Sequence, residues 1–159
     1  MSWRDEPLTE LGREQAHHIF EQLEHQTFDV IYSSPLSRVV DSIKAVADAA
    51  GQTIMLDDRL KEVNFGEFIG QPKESPVAIF GRDDNQLLDS YDYDLTKYGG
   101  ESAAQVKARV ASFLDDLKKS RAQTVLVATH DGVFRWLYLL IDGKKVSRVP
   151  NATIHEFQF

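Results

Sequence analysis

Thr124 to Ile141, T-V-L-V-A-T-H-D-G-V-F-R-W-L-Y-L-L-I, most limits what this chain can fold into. Thr124 to Thr129 is β-branched and apolar, short, and lacks polar alternation, which predicts a strand buried on both faces. His130-Asp131-Gly132 stops that strand, and from Val133 the apolar residues recur at helical spacing. A strand, a tight turn and a helix in that order is the unit of an open α/β sheet. In such sheets ligands collect beyond the carboxyl ends of the strands, near free N–H groups at helix N-termini. His130 is therefore either a group beside an anion site or a polar residue closing a loop.

The same alternation runs through the rest of the chain. Thr9 is an N-cap, and Leu11, Ala16, Ile19, Phe20 and Leu23 form the apolar stripe of a helix to about Gln26. Phe28 to Tyr32 reads as a strand broken by Ser33-Ser34-Pro35, and Leu36 to Ala50 as a helix that buries Val39, Val40, Ile43, Val46 and Ala47 and ends at Gly51. Thr53 to Leu56 is a short strand. Asp57 to Gly100 is irregular, with one short helix over Val77 to Phe80, and Ser102 to Lys119 is helical again. After the turn at Val149-Pro150-Asn151, alternation from Ile154 to Phe159 predicts a closing strand. Strands separated by helices imply a three-layer α/β sandwich with a mostly parallel sheet, in one domain over residues 1–159. The polar, interrupted stretch 72–98 is expected to be a variable insertion over the site.

Composition narrows the partners. With 42% hydrophobic residues the chain can bury a core, and 18 basic against 25 acidic side chains give a net charge of −7. That balance argues against nucleic acid or an anionic membrane as partner, since both need a basic surface. A small anion needs only a local cluster of Arg and His. No cysteine is present, which removes thiolate nucleophiles and Cys-based metal sites. No apolar run reaches membrane-spanning length, and a cytoplasmic location is the expectation.

Three residues in this pattern carry chemistry. Arg38 opens the helix after the second apolar segment, where its charge opposes the helix dipole unless an anion lies between them. A guanidinium and helix N–H groups together make a phosphate fork; a surface arginine is the plainer account. Glu62 follows a third strand, and a solvated loop carboxylate is its plainer account. Arg38, Glu62 and His130 all follow strands, so one pocket can collect a cation, a proton donor and an imidazole. Those are the parts for moving a phosphoryl group without metal or cofactor.

The same residues carry a family resemblance. Pro7-Leu8-Thr9-Glu10-Leu11-Gly12-Arg13-Glu14-Gln15-Ala16 is similar to the first-helix signature of the histidine phosphatase superfamily, the phosphoglycerate-mutase-like phosphatases. Ser33-Ser34-Pro35-Leu36-Ser37-Arg38 is similar to its phosphate-binding segment, and Leu60 to Gly70 resembles the segment that supplies the proton donor. Tyr98-Gly99-Gly100-Glu101-Ser102 and Thr129 to Arg135 match two further segments. The resemblance implies a phosphoglycerate-mutase-like fold, Arg38 as phosphate ligand, Glu62 as acid, His130 as the second active-site histidine, and a small phosphorylated substrate or inorganic phosphate as partner. It implies a metal-independent phosphomonoesterase, or a mutase-type isomerase, that works through a phosphohistidine.

The front of the chain departs from that pattern. Members of the family begin with a strand ending in Arg-His-Gly, whose histidine is the nucleophile, and this sequence has no such motif. His17, His18, His25 and His155 are not in settings that suggest replacement. The expectation is a truncated form whose first strand is missing and which is inactive by itself, with non-catalytic phosphate binding as the other outcome. A sheet without that strand has an open edge, and association into a homo-oligomer is one way to close it. Asp131 stands where the family commonly has glycine, and adds negative charge near a phosphate.

Overall fold

A computed structural model describes residues 3–72 and 75–158. Thr9 caps the first helix, α1 (Glu10–Leu23), by accepting from the Gly12 amide. Strand β1 (Val30–Ser33) leads into α2 (Ser37–Ala50), which stops where Gly51 takes the left-handed conformation that glycine adopts without steric cost. Strand β2 (Ile54–Leu56) is followed by 3₁₀ turns at Asp58–Leu60 and Gly66–Phe68 and by the short helices α3 (Val77–Phe80) and α4 (Asp84–Ser90). A third 3₁₀ turn, Thr96–Tyr98, precedes α5 (Ala103–Lys119). Then come β3 (Val125–Ala128) and α6 (Asp131–Asp142). None of the described helices is long and apolar enough to cross a membrane.

The three strands form a parallel sheet in the order β2-β1-β3, with Ile31 opposite Ile54 on one side and Leu126 on the other. Side chains alternate across it. Ile31, Leu126 and Ala128 pack with α1 and α2, among Leu23, Val39, Ile43 and Val46. Tyr32, Val125 and Val127 point the other way, into a larger core with Phe113 and Leu117 of α5 and Trp136 and Leu137 of α6. The outcome is the expected three-layer α/β sandwich, and period-two alternation along the strands is what divides the core in two.

Four expectations are corrected. Strand β3 is not buried on both faces: Val125, Leu126 and Val127 are half-buried, because among the described residues β3 pairs with β1 alone and forms an edge of the sheet. The predicted closing strand is not formed over 154–158, and no backbone–backbone hydrogen bond among the described residues ties that segment to a neighbour. A segment with no adjacent strand has no ladder to join. On α1, Leu11 is 62% exposed rather than inward, and the helix ends at Leu23, three residues before Gln26. Helix α4 was not anticipated; its signal was the capping box in which Asp83 and Gln86 each bond the other's backbone amide.

Candidate active site

Strands β1 and β3 end side by side, and the turns after them bring Ser34, Arg38 and His130 together. His130 is the N-cap residue of α6, yet its side chain makes no cap bond, so it does not merely close the loop. Its Nε2 lies 2.8 Å from Ser34 Oγ, and its Nδ1 lies 3.4 Å from Arg38 Nη2. A guanidinium can only donate, so Nδ1 is the acceptor and Nε2 carries the proton that Ser34 receives. This network assigns a neutral imidazole. Burial, with the cations of Arg38 and Arg109, pushes the His130 pKa down to about 3.

Arg38 also donates from Nη1 to the Arg4 carbonyl at 2.9 Å. Burial lowers its pKa, against the opposing pull of Glu62, Asp5 and Glu6. Those carboxylates answer the question raised by a cation in the first turn of α2. The helix N-terminus itself takes Asp5, whose Oδ1 accepts from both the amide and the hydroxyl of Ser37 at 2.8 Å. These bonds hold the Asp5 carboxyl below the usual range. The chain's own carboxylate thus sits where an anion is favoured.

Glu62 sits across from them. Its Oε1 accepts from the Val63 amide at 2.8 Å and from the Gly132 amide, at the start of α6, at 3.1 Å. A Cβ at position 132 would collide with that Glu62 oxygen and with Val63 Cγ2, so Gly132 is what lets the carboxyl come this close. Burial is the main cause that raises the Glu62 pKa to about 7. The bond from Val63, Arg38 and Arg109 pull it down, and Asp131 pushes it up. A carboxyl poised there can hold a proton near neutral pH and release it to a leaving oxygen.

The structure brings together all three residues singled out in the sequence. It also adds supporting groups that no motif role had identified. Arg109 binds Glu101 through two nitrogens (Nε–Oε1 2.8 Å, Nη2–Oε2 3.1 Å) and donates to the carbonyls of Arg59 (2.5 Å) and Glu62 (3.1 Å). Glu101 Oε2 accepts from the Asn64 amide at 2.8 Å, and Trp3 Nε1 donates to the Glu62 carbonyl at 2.6 Å. The main chain around Glu62 is therefore fixed by residues 59 and 47 positions away. Only Glu101 stood in a segment that sequence reasoning had marked, and nothing in the spacing of Trp3 or Arg109 signals a partner that distant.

Asp131 does not leave a loose negative charge beside the site. The fully buried Arg135 grips it (Nη2–Oδ2 2.7 Å) together with Asp89, and the Val149 amide donates to its Oδ1 at 2.8 Å. The remaining histidines are engaged elsewhere. His17 and His18 lie exposed on α1 near Glu21, His25 is exposed beside Glu24, and His155 contacts the Tyr138 hydroxyl and Thr153.

Comparison with known proteins identifies the family. The profile of the histidine phosphatase superfamily (branch 1) matches residues 1–159. Phosphoserine phosphatase 1 of Hydrogenobacter thermophilus is 31% identical over 145 residues, covering 91% of this chain and 68% of that protein. A 2,3-bisphosphoglycerate-dependent phosphoglycerate mutase of Mesorhizobium japonicum is 33% identical over 150 residues, covering 89% and 72%. Among solved structures, a mycobacterial glucosyl-3-phosphoglycerate phosphatase in complex with inorganic phosphate superimposes with a TM-score of 0.74 at 26% identity, over 89% of this chain and 72% of that one. The chain belongs to the histidine phosphatase superfamily.

Proposed function

We propose that this chain carries the phosphate-holding and proton-donating parts of a metal-independent phosphomonoesterase for a small phosphate ester. The observation that supports it best is the convergence of Arg38, a neutral His130 and a Glu62 whose pKa is raised to about 7. The phosphate complex of the mycobacterial relative supports a phosphate-binding role for the same fold. In this reading Arg38 turns from the Arg4 carbonyl to the non-bridging oxygens, and His130 donates to the transferring group. A histidine nitrogen attacks phosphorus, the P–O ester bond breaks, and Glu62 protonates the departing oxygen. Water then cleaves the phosphohistidine to phosphate and free imidazole. A mutase would return the phosphoryl group to a second substrate oxygen.

No second histidine accompanies His130 among the described residues of the cluster, which favours a companion reading. By itself the chain binds phosphate without turnover, and the nucleophile belongs to a segment that the described residues do not include. The test is an assay with an aryl phosphate ester, paired with the melting temperature in inorganic phosphate or vanadate. Arg38→Gln and His130→Ala serve as the comparison variants. The expected result is a phosphate-dependent rise in melting temperature that Arg38→Gln removes, with no turnover. Turnover that His130→Ala abolishes would show that a histidine already in the chain is the nucleophile. No effect of phosphate on either protein would defeat the phosphate-site reading.

A further inference from the structure

Helix α6 opens on a charge cluster that phosphoryl transfer does not use. Asp131, in its first turn, binds Arg135 one turn further on, through Nε–Oδ1 at 3.1 Å and Nη2–Oδ2 at 2.7 Å. Arg135 also holds the Asp89 carboxylate and reaches the Asn85 carbonyl at 3.5 Å, both on α4. The guanidinium side chain is 1% exposed, whereas those of Asp131 and Asp89 are 22% and 42% exposed. Two carboxylates thus share one guanidinium. Arg135 fixes Asp131 in place without cancelling its charge, and the cluster keeps an excess of negative charge.

That excess lies beside the Glu62 carboxyl. The Gly132 amide, next after Asp131, donates to Glu62 Oε1 at 3.1 Å, and a side chain at position 132 would block that approach. The other charged groups facing Glu62 have compensating groups of their own. Arg109 of α5 is taken by Glu101 and by two carbonyls, and Arg38 of α2 bonds the Arg4 carbonyl and stands near Asp5 and Glu6. Lys61 turns to Asp58 and to the Trp3 ring. His130 is neutral, and burial keeps the Tyr93 hydroxyl neutral as well. Among the described residues, the cluster at the start of α6 is therefore the uncompensated charge that acts on Glu62. The carboxyl is buried away from screening water, and a like charge nearby disfavours its ionisation. The upward push of Asp131 on the Glu62 pKa has that sign.

We propose that Asp131 and Asp89, joined through Arg135, are positioning residues for the Glu62 proton, and that helix α4 thereby sets the strength of the acid. Asp131 acts at close range. Asp89 acts through the shared guanidinium: the more of it Asp89 takes, the less remains to offset Asp131. Asp84, Asn85 and Leu88 of the same helix line the cavity that Glu62 lines. The helix that borders the cavity is thus also the one that tunes the proton held there. This role rests on the reading of Glu62 as proton donor.

The test follows the side-chain carboxyl carbon of Glu62 by NMR against pH, in the full chain without phosphate, with Glu62→Gln to assign the signal. Asp131→Asn keeps the shape and an acceptor for Arg135 and removes the charge. It should lower the Glu62 midpoint by about half a pH unit or more, roughly a threefold loss of proton affinity. Asp89→Asn should lower it by a smaller, resolvable amount, and Asp89→Glu should restore the wild-type value. An unmoved midpoint in Asp131→Asn, even with a lower melting temperature, would overturn the proposal, since a purely structural role gives that result. A midpoint that Asp131→Asn moves and Asp89→Asn does not would overturn the part assigned to α4. Should Asp131→Asn fail to fold, the partly exposed Asp89 decides the matter alone. Phosphate takes no part in the titration, so failure here and failure of the phosphate site are read separately.

Discussion

The two flanks of the sheet are finished to different degrees. On the Glu62 side, residues 57–109 wrap the sheet end with charge-assisted bonds that converge on Arg109 and Glu101, over a core containing Leu60, Val63, Leu95 and Val106, none of them exposed. On the β3 side, a strand with the composition of a sheet centre stands half-buried at an edge. There the facing helix α1 fully buries only Leu23 of its apolar stripe. The difference teaches that apolar composition does not ensure burial. A strand is buried by its neighbours, and among the described residues this one has a neighbour on one side.

Arg109→Leu should break the finished flank. It leaves the Glu101 carboxylate and the carbonyls of Arg59 and Glu62 without their donor, and removing one partner of a buried pair costs about 3–5 kcal/mol. Urea unfolding would read that as a lower midpoint, and a loss under 1 kcal/mol would show that water replaces the guanidinium freely. Next in size is an effect of pH at the shared end of the two flanks. His130 titrates at about 3 when folded and at 6.5 in the ordinary state, so the unfolded chain binds the extra proton between those values. Its contribution to stability is complete above pH 6.5 and is lost as pH falls through that window toward 3. Glu62, raised from 4.5 to about 7, acts with the opposite sign: the folded form holds the proton, and stability falls as pH rises through 4.5 to 7. Subtracting the pH–stability curve of His130→Gln from that of the wild type cancels the Glu62 part. A flat difference between pH 3 and 6.5 would mean that His130 is not buried as a neutral ring.

The smallest effect belongs to the unfinished flank. Ile154 is 41% exposed on the unpaired segment, and Ile154→Asp should change stability by no more than about 0.5 kcal/mol. A loss several times larger would show that the segment already pairs in solution, and the contrast between the flanks would disappear.

Much of this was legible in the sequence because it is local. The N-cap of α1, the stop at Gly51, the short helix at Val77–Phe80 and the start of α5 each depend on residues a few positions apart. The site was legible in outline for a similar reason: Arg38, Glu62 and His130 each follow a strand, and parallel strands place their carboxyl ends together. The failures have a common cause. Burial of Val125 to Val127, of Leu11 and of the 154–158 segment depends on what lies beside them, which periodicity does not report.

By itself, then, the sequence determined the alternation of strands and helices, the parallel sheet and the three residues that meet at its end. Hydrophobic period and capping chemistry act within a few residues, and chain order limits how such units stack. Only the tertiary structure decided that Asp131 is paired with Arg135, that Arg109 and Trp3 hold the Glu62 main chain, and that among the described residues β3 pairs on one side alone. Each of those is a contact, or a gap, between segments dozens of residues apart, and its energy depends on a distance that exists only once the chain has folded.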